Sequence, residues 1–404
     1  MLLKLSWKNV WRSKARSFVV IGSIILGVWA LLIGTGFMNG FGVSYMADVI
    51  NHDVSNIQVH NKEFKKDFDI NYFVSNGTEK AAKVRTWPHV KATTTRIIIN
   101  GMISSPKKGA AVQIRGIDIA NEQKVTQLDS LLIEGSYFKG LKRHPIIIGS
   151  KLAKTLHVKL RSKVVLTFTN DEGLITAGAF RIVGIVKSSS VKINELYAFV
   201  KQKDLAKITS IGHQVHELAI LLEPHVNEAA TVAKYNQTYK GDMVETWKEI
   251  APELALMQQM YNQMLYILML IIMTALVFGI VNTMLMAVLE RYRELGMLMA
   301  VGMGKANVYA MILIETIYLG LVGAPLGLLA GWLTLSYYSK VGVDLTEYSE
   351  GLESFGYSSI LYPYLENNVY LIVTFSVVVT AIIGALYPAW KAVKLNPVEA
   401  LHKI

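Results

Sequence analysis

Four blocks of the chain are almost wholly apolar. Ser17 to Ala47, Met264 to Leu289 and Asn367 to Trp390 contain no Asp, Glu, Lys or Arg, and Ala306 to Ser339 contains only Glu315. A helix needs roughly 20 mainly apolar residues to cross about 30 Å of hydrocarbon, so each block predicts a membrane span. The first exceeds that need, at about 46 Å of helix. Between the first two blocks the period changes. IQVH (57–60), TTTRIIING (93–101), AAVQIRGID (110–118), SKVVLTFT (162–169), AFRIVGIVK (179–187), LYAFV (196–200) and ELAILLE (217–223) alternate or are rich in β-branched residues, as half-buried strands do. SKLAKTLHV (150–158) and EAATVAKYNQTY (228–239) carry helical apolar spacing. After Trp247 the run KEIAPELALMQQMYNQMLYILML reads as one long helix that begins outside the second block and runs into it.

Charge orients these spans. Lys4, Lys8, Arg12, Lys14 and Arg16 precede the first block with no acid among them, and Lys391, Lys394 and Lys403 follow the fourth. Residues 340–366 instead carry Asp344, Glu347, Glu350, Glu353 and Glu366 against Lys340. Counting Lys and Arg by the positive-inside rule puts both termini in the cytoplasm and residues 48–262 outside. The net charge of +11 is thereby largely accounted for by orientation, and no nucleic-acid partner is expected. The first block is too long for a cleaved signal peptide and reads as an uncleaved anchor. Charged residues make up 18% of the chain, against about 25% in a soluble domain, and the absence of cysteine excludes disulfides.

The expected fold is an α+β membrane protein, four transmembrane helices with a large mixed α/β extracytoplasmic domain, in two lobes, inserted between the first and second. Its divisions are 1–47 (N-terminal amphipathic segment and first span), 48–262 (outer domain), 263–290 (second span) and 291–305 (cytoplasmic helix). Then follow 306–339 (third span), 340–366 (outer loop), 367–390 (fourth span) and 391–404 (cytoplasmic tail).

Candidate chemistry is sparse. The nine histidines are scattered, and His213 and His216 lack the glutamate of a zinc-hydrolase motif. No Gly-x-Ser-x-Gly elbow is present, so a binding or transmission role is expected, not an enzyme. ERYRELGMLMAVGMGK (290–305) ends like a phosphate-binding loop, but Met299 and Ala306 stand where that loop requires Gly and Ser or Thr. Its helical reading puts Leu295, Leu298 and Met299 on one face, with Arg291 and Glu294 nearby. Such a helix docks into a partner's groove or lies in the membrane interface. Glu315, the ionisable residue inside a span, is expected to be paired, and Gly323, Gly327 and Gly331 to allow close helix packing.

ERYRELGMLMAVGM, the Glu315, Gly320, Gly323 and Gly327 spacing after it, and YPAWKAVKLNPVEALHKI (387–404) together resemble the FtsX-type, or type VII, ABC transporter permease domain. GTGFMNGF (34–41) and TWKE (246–249) resemble the lipoprotein-releasing permeases within it. One departure is Met299, where that family has a basic residue.

The resemblance implies that the segment after the second span is a coupling helix contacting a separate ATPase. It assigns this role to Glu290, Arg291, Arg293, Glu294, Leu295, Gly296 and Leu298. This chain then binds no cofactor, and ATP and Mg belong to the partner. Two permeases (a second copy or a paralogue) and two ATPases would enclose a cavity between first and second spans in the bacterial inner membrane. A lipoprotein's acyl chains would enter it and pass to a periplasmic carrier. Phe37, Met38, Phe41, Tyr45, Met260, Tyr261, Met264 and Leu265 are the expected lining, methionines suiting varied apolar ligands. The same architecture also serves MacB-like efflux or mechanotransmission, and FtsX-like regulation of a cell-wall hydrolase.

Overall fold

A computed structural model describes residues 2–12, 14–139, 144–224, 226–348, 351–352, 357 and 359–394. Glu350, Glu353, Lys403 and the end of the C-terminal motif fall outside these residues, as does the side chain of Arg16. The chain divides into two compact units, one of residues 1–43, 258–346 and 360–404, the other of 44–257 and 347–359.

In chain order the elements begin with α1 (Leu2–Arg12), α2 (Lys14–Val49), a π-turn (Ile50–Val54), β1 (Ile57–Asn61), α3 (Phe64–Asp67) and α4 (Gly77–Val84). β2 (Val90–Ser104), β3 (Gly109–Ile117), α5 (Ile119–Val125), β4 (Leu132–Gly135), β5 (Pro145–Gly149) and α6 (Ser150–Leu156) follow. Next come β6 (Lys163–Thr169), β7 (Ile175–Val186), α7 (Val191–Glu195), β8 (Tyr197–Lys201), α8 (Gln202–Thr209), β9 (Glu217–Leu222), α9 (Glu228–Thr238) and β10 (Asp242–Thr246). The chain continues through α10 (Trp247–Ile250), α11 (Pro252–Glu290), α12 (Tyr292–Ala300) and α13 (Lys305–Val341). The two-residue strands β11 (Val343–Asp344) and β12 (Ile360–Leu361) precede α14 (Asn367–Val393).

The first unit is helical. Four helices are long and apolar enough to cross a membrane, over Ser17–Val54, Pro252–Glu290, Lys305–Val341 and Asn367–Val393. α2 and α13 approach through the predicted glycines. A Cβ on Gly323 would lie 3.0 Å from the Ile24 side chain, and one on Gly327 would lie 3.0 Å from the Ile25 carbonyl oxygen. With no hydrophobic drive between helices in lipid, such backbone approach supplies the contact. The second span is the least covered, with 17% of its most apolar window buried against 33–44% for the others.

The second unit holds a ten-stranded mixed sheet in the order β10-β1-β9-β2-β3-β8-β5-β7-β4, with β6 paired to β2 and β7. β3–β8 and β5–β7 are parallel and the other pairs antiparallel. The domain has one sheet, joined through the 15-residue β2, whose start pairs with β9 and whose end pairs with β3 and β6. Separate apolar clusters form around Ile57, Val59 and Leu218, around Ile97, Ile114 and Leu166, and around Phe138, Ile147 and Phe199.

Between the first two clusters lies a buried ionic group. Arg96, fully buried, donates to both oxygens of Glu122 and to Glu217. Glu217 also meets His60 Nε2 at 3.1 Å, and His60 Nδ1 lies 3.6 Å from Glu245. Burial alone would lower the His60 pKa, but Glu217 and Glu245 outweigh it and raise it. Burial opposes the Glu217 charge too, yet Arg96 first and His60 second hold its carboxyl far below the usual range. His216 accepts from Ile98 N–H at Nδ1 and donates from Nε2 to Ile70 O, both 2.9 Å. Burial pushes its pKa down to about 4, so it is a neutral strut. His213 is exposed, and among the described residues no His, Asp and Glu group could hold a metal ion.

From Pro252 the run is one unbroken helix into the second span, as read from the sequence, but the helix does not reach back to Trp247. α10 ends at Ile250, Ala251 leaves helical geometry (φ −127°, ψ 70°), and α11 starts at Pro252, where a missing N–H costs nothing. TWKE has a structural account. Thr246 and Glu249 form a reciprocal capping box, and the Trp247 indole donates to Glu228 at 3.1 Å.

Candidate coupling and cavity sites

The glycines after the second span terminate a helix. Gly302 (φ 106°) follows α12, Gly302 N–H bonds Met299 O, and Met303 N–H bonds Leu298 O. This is a Schellman stop, in which a residue of positive φ satisfies the last carbonyls. Gly304 then caps the start of α13.

The orientation of α12 corrects the expected docking ridge. Leu295 is 2% exposed and Gly296 is buried, while Leu298 and Met299 pack on the helical unit's own core. The apolar ridge therefore meets the spans. Exposed instead are Met297 at 55%, Val301 at 85%, Glu290 and Arg293.

Arg291 and Glu294 join this helix to two others. Arg291 Nη1 lies 3.2 Å from both oxygens of Glu315 on α13, and Arg291 Nε bonds Glu294 at 3.2 Å. Asn9 on α1 donates to Glu315 at 2.7 Å, and Arg12 pairs with Glu294. Burial works against the Glu294 charge, but Arg291 and Arg12 outweigh it and lower its pKa. A hollow of about 20 Å³ bordered by Asn9, Ser17, Arg291 and Glu315 has room for one water. Glu315 is thus paired inside its span, and α1, α12 and α13 share one network. Asn9 and Arg12 were not legible as its members, because neither stands in a motif.

Of the expected cavity residues, Phe37, Met38, Phe41, Tyr261 and Leu265 are half-buried, and Met260 and Met264 are exposed at 62% and 54%. Tyr45 is set apart from them. It lies in the sheet-bearing unit, packed with Val49, Trp247 and Leu254 and 5.5 Å from the Tyr357 ring. α2 and α11 meet where glycines face side chains: Gly27 at Leu276, Gly34 at Leu268 and Gly42 at Tyr261. An apolar hollow of about 540 Å³ lies instead between α11 and α14, lined by Met269, Met273, Phe278, Phe375, Val379 and Ile383 among others.

The MNGF motif reaches a segment far away in sequence. Asn39 Nδ2 donates to Tyr364 O at 3.2 Å, and Tyr364 N–H donates to Gly36 O at 3.1 Å. A Cβ on Gly40 would come 2.7 Å from the Tyr362 carbonyl oxygen, so only glycine fits there.

Comparison with known proteins agrees with this architecture. The model of the FtsX-like permease C-terminal region matches residues 266–397, and that of the MacB-like periplasmic core domain matches residues 17–238. The lipoprotein-releasing system transmembrane protein LolC of Neisseria meningitidis serogroup B is 24% identical over 404 residues, covering 96% of this chain and 94% of that protein. The LolE protein of the same system in Haemophilus influenzae is 20% identical over 411 residues, covering 98% and 95%. The macrolide export ATP-binding/permease protein MacB of Bordetella avium is 34% identical over 125 residues, covering 31% of this chain and 17% of that protein. With one model spanning more than half its length and the other its C-terminal spans, this chain belongs to the FtsX-like ABC transporter permeases that carry a MacB-like periplasmic core domain.

Proposed function

We propose that the chain is the permease subunit of a transporter that extracts lipoproteins from the outer leaflet of the bacterial inner membrane. A separate ATPase drives it, and a periplasmic carrier receives the cargo. The observation that carries this reading is extent. Relatives named for lipoprotein release align along 96% and 98% of the chain, and the macrolide exporter along 31%. The Lys and Arg asymmetry supports a topology with both termini and α12 in the cytoplasm and the sheet domain in the periplasm.

Exposed apolar surface supports the same reading. Met260 and Met264 offer acyl chains a flexible apolar wall, and each methylene is worth about 0.8 kcal/mol against water. A lipid tail therefore leaves the bilayer only for a surface equally apolar. A second copy or a paralogue completes the enclosure around the first and second spans. In the sheet domain the β6–β7 hairpin ends in Leu174 and Ile175, exposed at 60% and 82%, an apolar tip suited to a carrier.

A photoreactive residue at Met264 is expected to trap a triacylated lipoprotein in native membranes and to ignore a variant lacking the lipidated cysteine. Crosslinking indifferent to lipidation would replace this reading with efflux or mechanotransmission.

The ATPase docks on the outward side of α12, through Met297 and Val301 flanked by Glu290 and Arg293. Met297→Asp with Val301→Asp is expected to release the ATPase on copurification while the permease stays folded. Full recovery of the ATPase would exclude this face.

A further inference from the structure

The outer end of the first span is held in two physically different ways. Toward α11 its glycines meet side chains, Leu276, Leu268 and Tyr261. These are flexible groups able to slide or swing. Toward residues 360–364 the contact is backbone. Tyr364 N–H bonds Gly36 O, Asn39 bonds Tyr364 O, and Gly40 lies against the Tyr362 carbonyl and the Pro363 Cα. The segment is itself braced. Leu361 is buried, and β12 pairs with β11 at the end of α13 through Val343–Leu361 and Asp344–Ile360. A contact against backbone cannot be relieved by a change of rotamer, as a contact against a side chain can.

We infer that residues 360–364 are a strap tying the first span to the third and fourth, with Asn39 and Gly40 as its positioning residues. Opening of the cavity is then confined to the seam between α2 and α11. The cavity and what passes through that seam rest on the transporter reading proposed above, whereas the strap itself does not. The strap also gives the MNGF motif a mechanical role: its Asn and Gly fix the frame against which the second span moves.

The chain has no cysteine, so paired cysteines report without background. In the permease assembled with its ATPase, Asn39→Cys with Tyr364→Cys marks the strap, and Gly42→Cys with Tyr261→Cys marks the seam. With a short bismaleimide, the strap pair is expected to crosslink equally without nucleotide and with vanadate-trapped ATP, and the linked complex to keep its transport. The seam pair is expected to change yield by roughly threefold or more between those states, and its crosslink to lower transport about tenfold. A strap whose yield follows nucleotide, or a strap crosslink that stops transport, overturns the inference whatever the cargo. If both pairs behave as expected but the cargo is not lipidated, the strap stands and the lipoprotein reading falls.

A second pair of variants covers a failure of Asn39→Cys to assemble. Gly40→Ala, whose Cβ meets backbone, is expected to make seam crosslinking independent of nucleotide. Gly22→Ala, whose Cβ would meet nothing within 4 Å, is expected to leave it unchanged. The reverse ranking overturns the strap.

Discussion

Arg291→Met is expected to destabilise the helical unit by about 3–5 kcal/mol, because it strands a buried carboxylate. Glu315 is 6% exposed and takes both oxygens to Arg291; Asn9, a neutral donor, does not replace that charge. Glu315→Leu is expected to cost less, because the guanidinium keeps Glu294 as a partner. The informative case is the double variant. Replacing a buried pair by apolar groups of similar volume is often neutral or stabilising, so Arg291→Met with Glu315→Leu should recover most of the loss. Transport should not recover with it, since α12 has lost its polar tie to α13 and Glu294 one of its two arginines. Unfolding of the detergent-solubilised chain and ATP-driven transport of the assembled complex separate the two effects. A double variant that regained transport together with stability would show that the pair is held for stability alone.

In the sheet domain Glu217→Gln is expected to cost about 3–5 kcal/mol near neutral pH, since it removes the shared partner of Arg96 and His60. The pH dependence carries signs that can be checked. The folded pKa of Glu217 is depressed from its ordinary 4.5. Its contribution is therefore complete above about 4.5 and lost as pH falls through the folded value. The gap between wild type and variant should close on that acidic side. His60 runs the other way. Its folded pKa is raised from 6.5, so its contribution is complete below about 6.5 and lost as pH rises through the folded value. His216, held at about 4, adds stability above about 6.5 that is lost as pH falls toward 4. Hydrogen exchange at the β2 and β9 amides, read from about pH 2 to 9 so as to cover the acidic loss, follows this unit alone. A gap that stayed constant into the acid range would remove Glu217 from the ionic group.

The spans and most strands were legible because period and length decide them. β1, β2, β3, β6, β7, β8 and β9 all appear where alternation placed them. β5 did not, because PIIIG is buried along its whole length and shows no period of two. β4 and β10 are short and too polar to stand out. The inverted face of α12 has a different cause. An apolar ridge states that a helix is covered, and the pattern is the same whether its own spans or another protein cover it. The strap was hidden by distance, since Asn39 and Tyr364 are 325 residues apart. A close approach requiring Gly40 leaves no trace in hydropathy.

The place of β1 in the sheet has a consequence for how the protein is made. β1 lies between β9 and β10, with Ile57 opposite both Ile220 and Thr246, so the first strand to leave the ribosome waits for the last two. At roughly 5–20 residues per second that wait is on the order of 10–40 s. Arg96 waits as well, since Glu217 is synthesised long after it. Until Leu222 has been made β1 has neither neighbour, and until Thr246 follows it keeps one unpaired edge open to a chaperone. This half of the sheet closes in one late step, which makes the interval before closure the chain's period of greatest exposure to proteolysis.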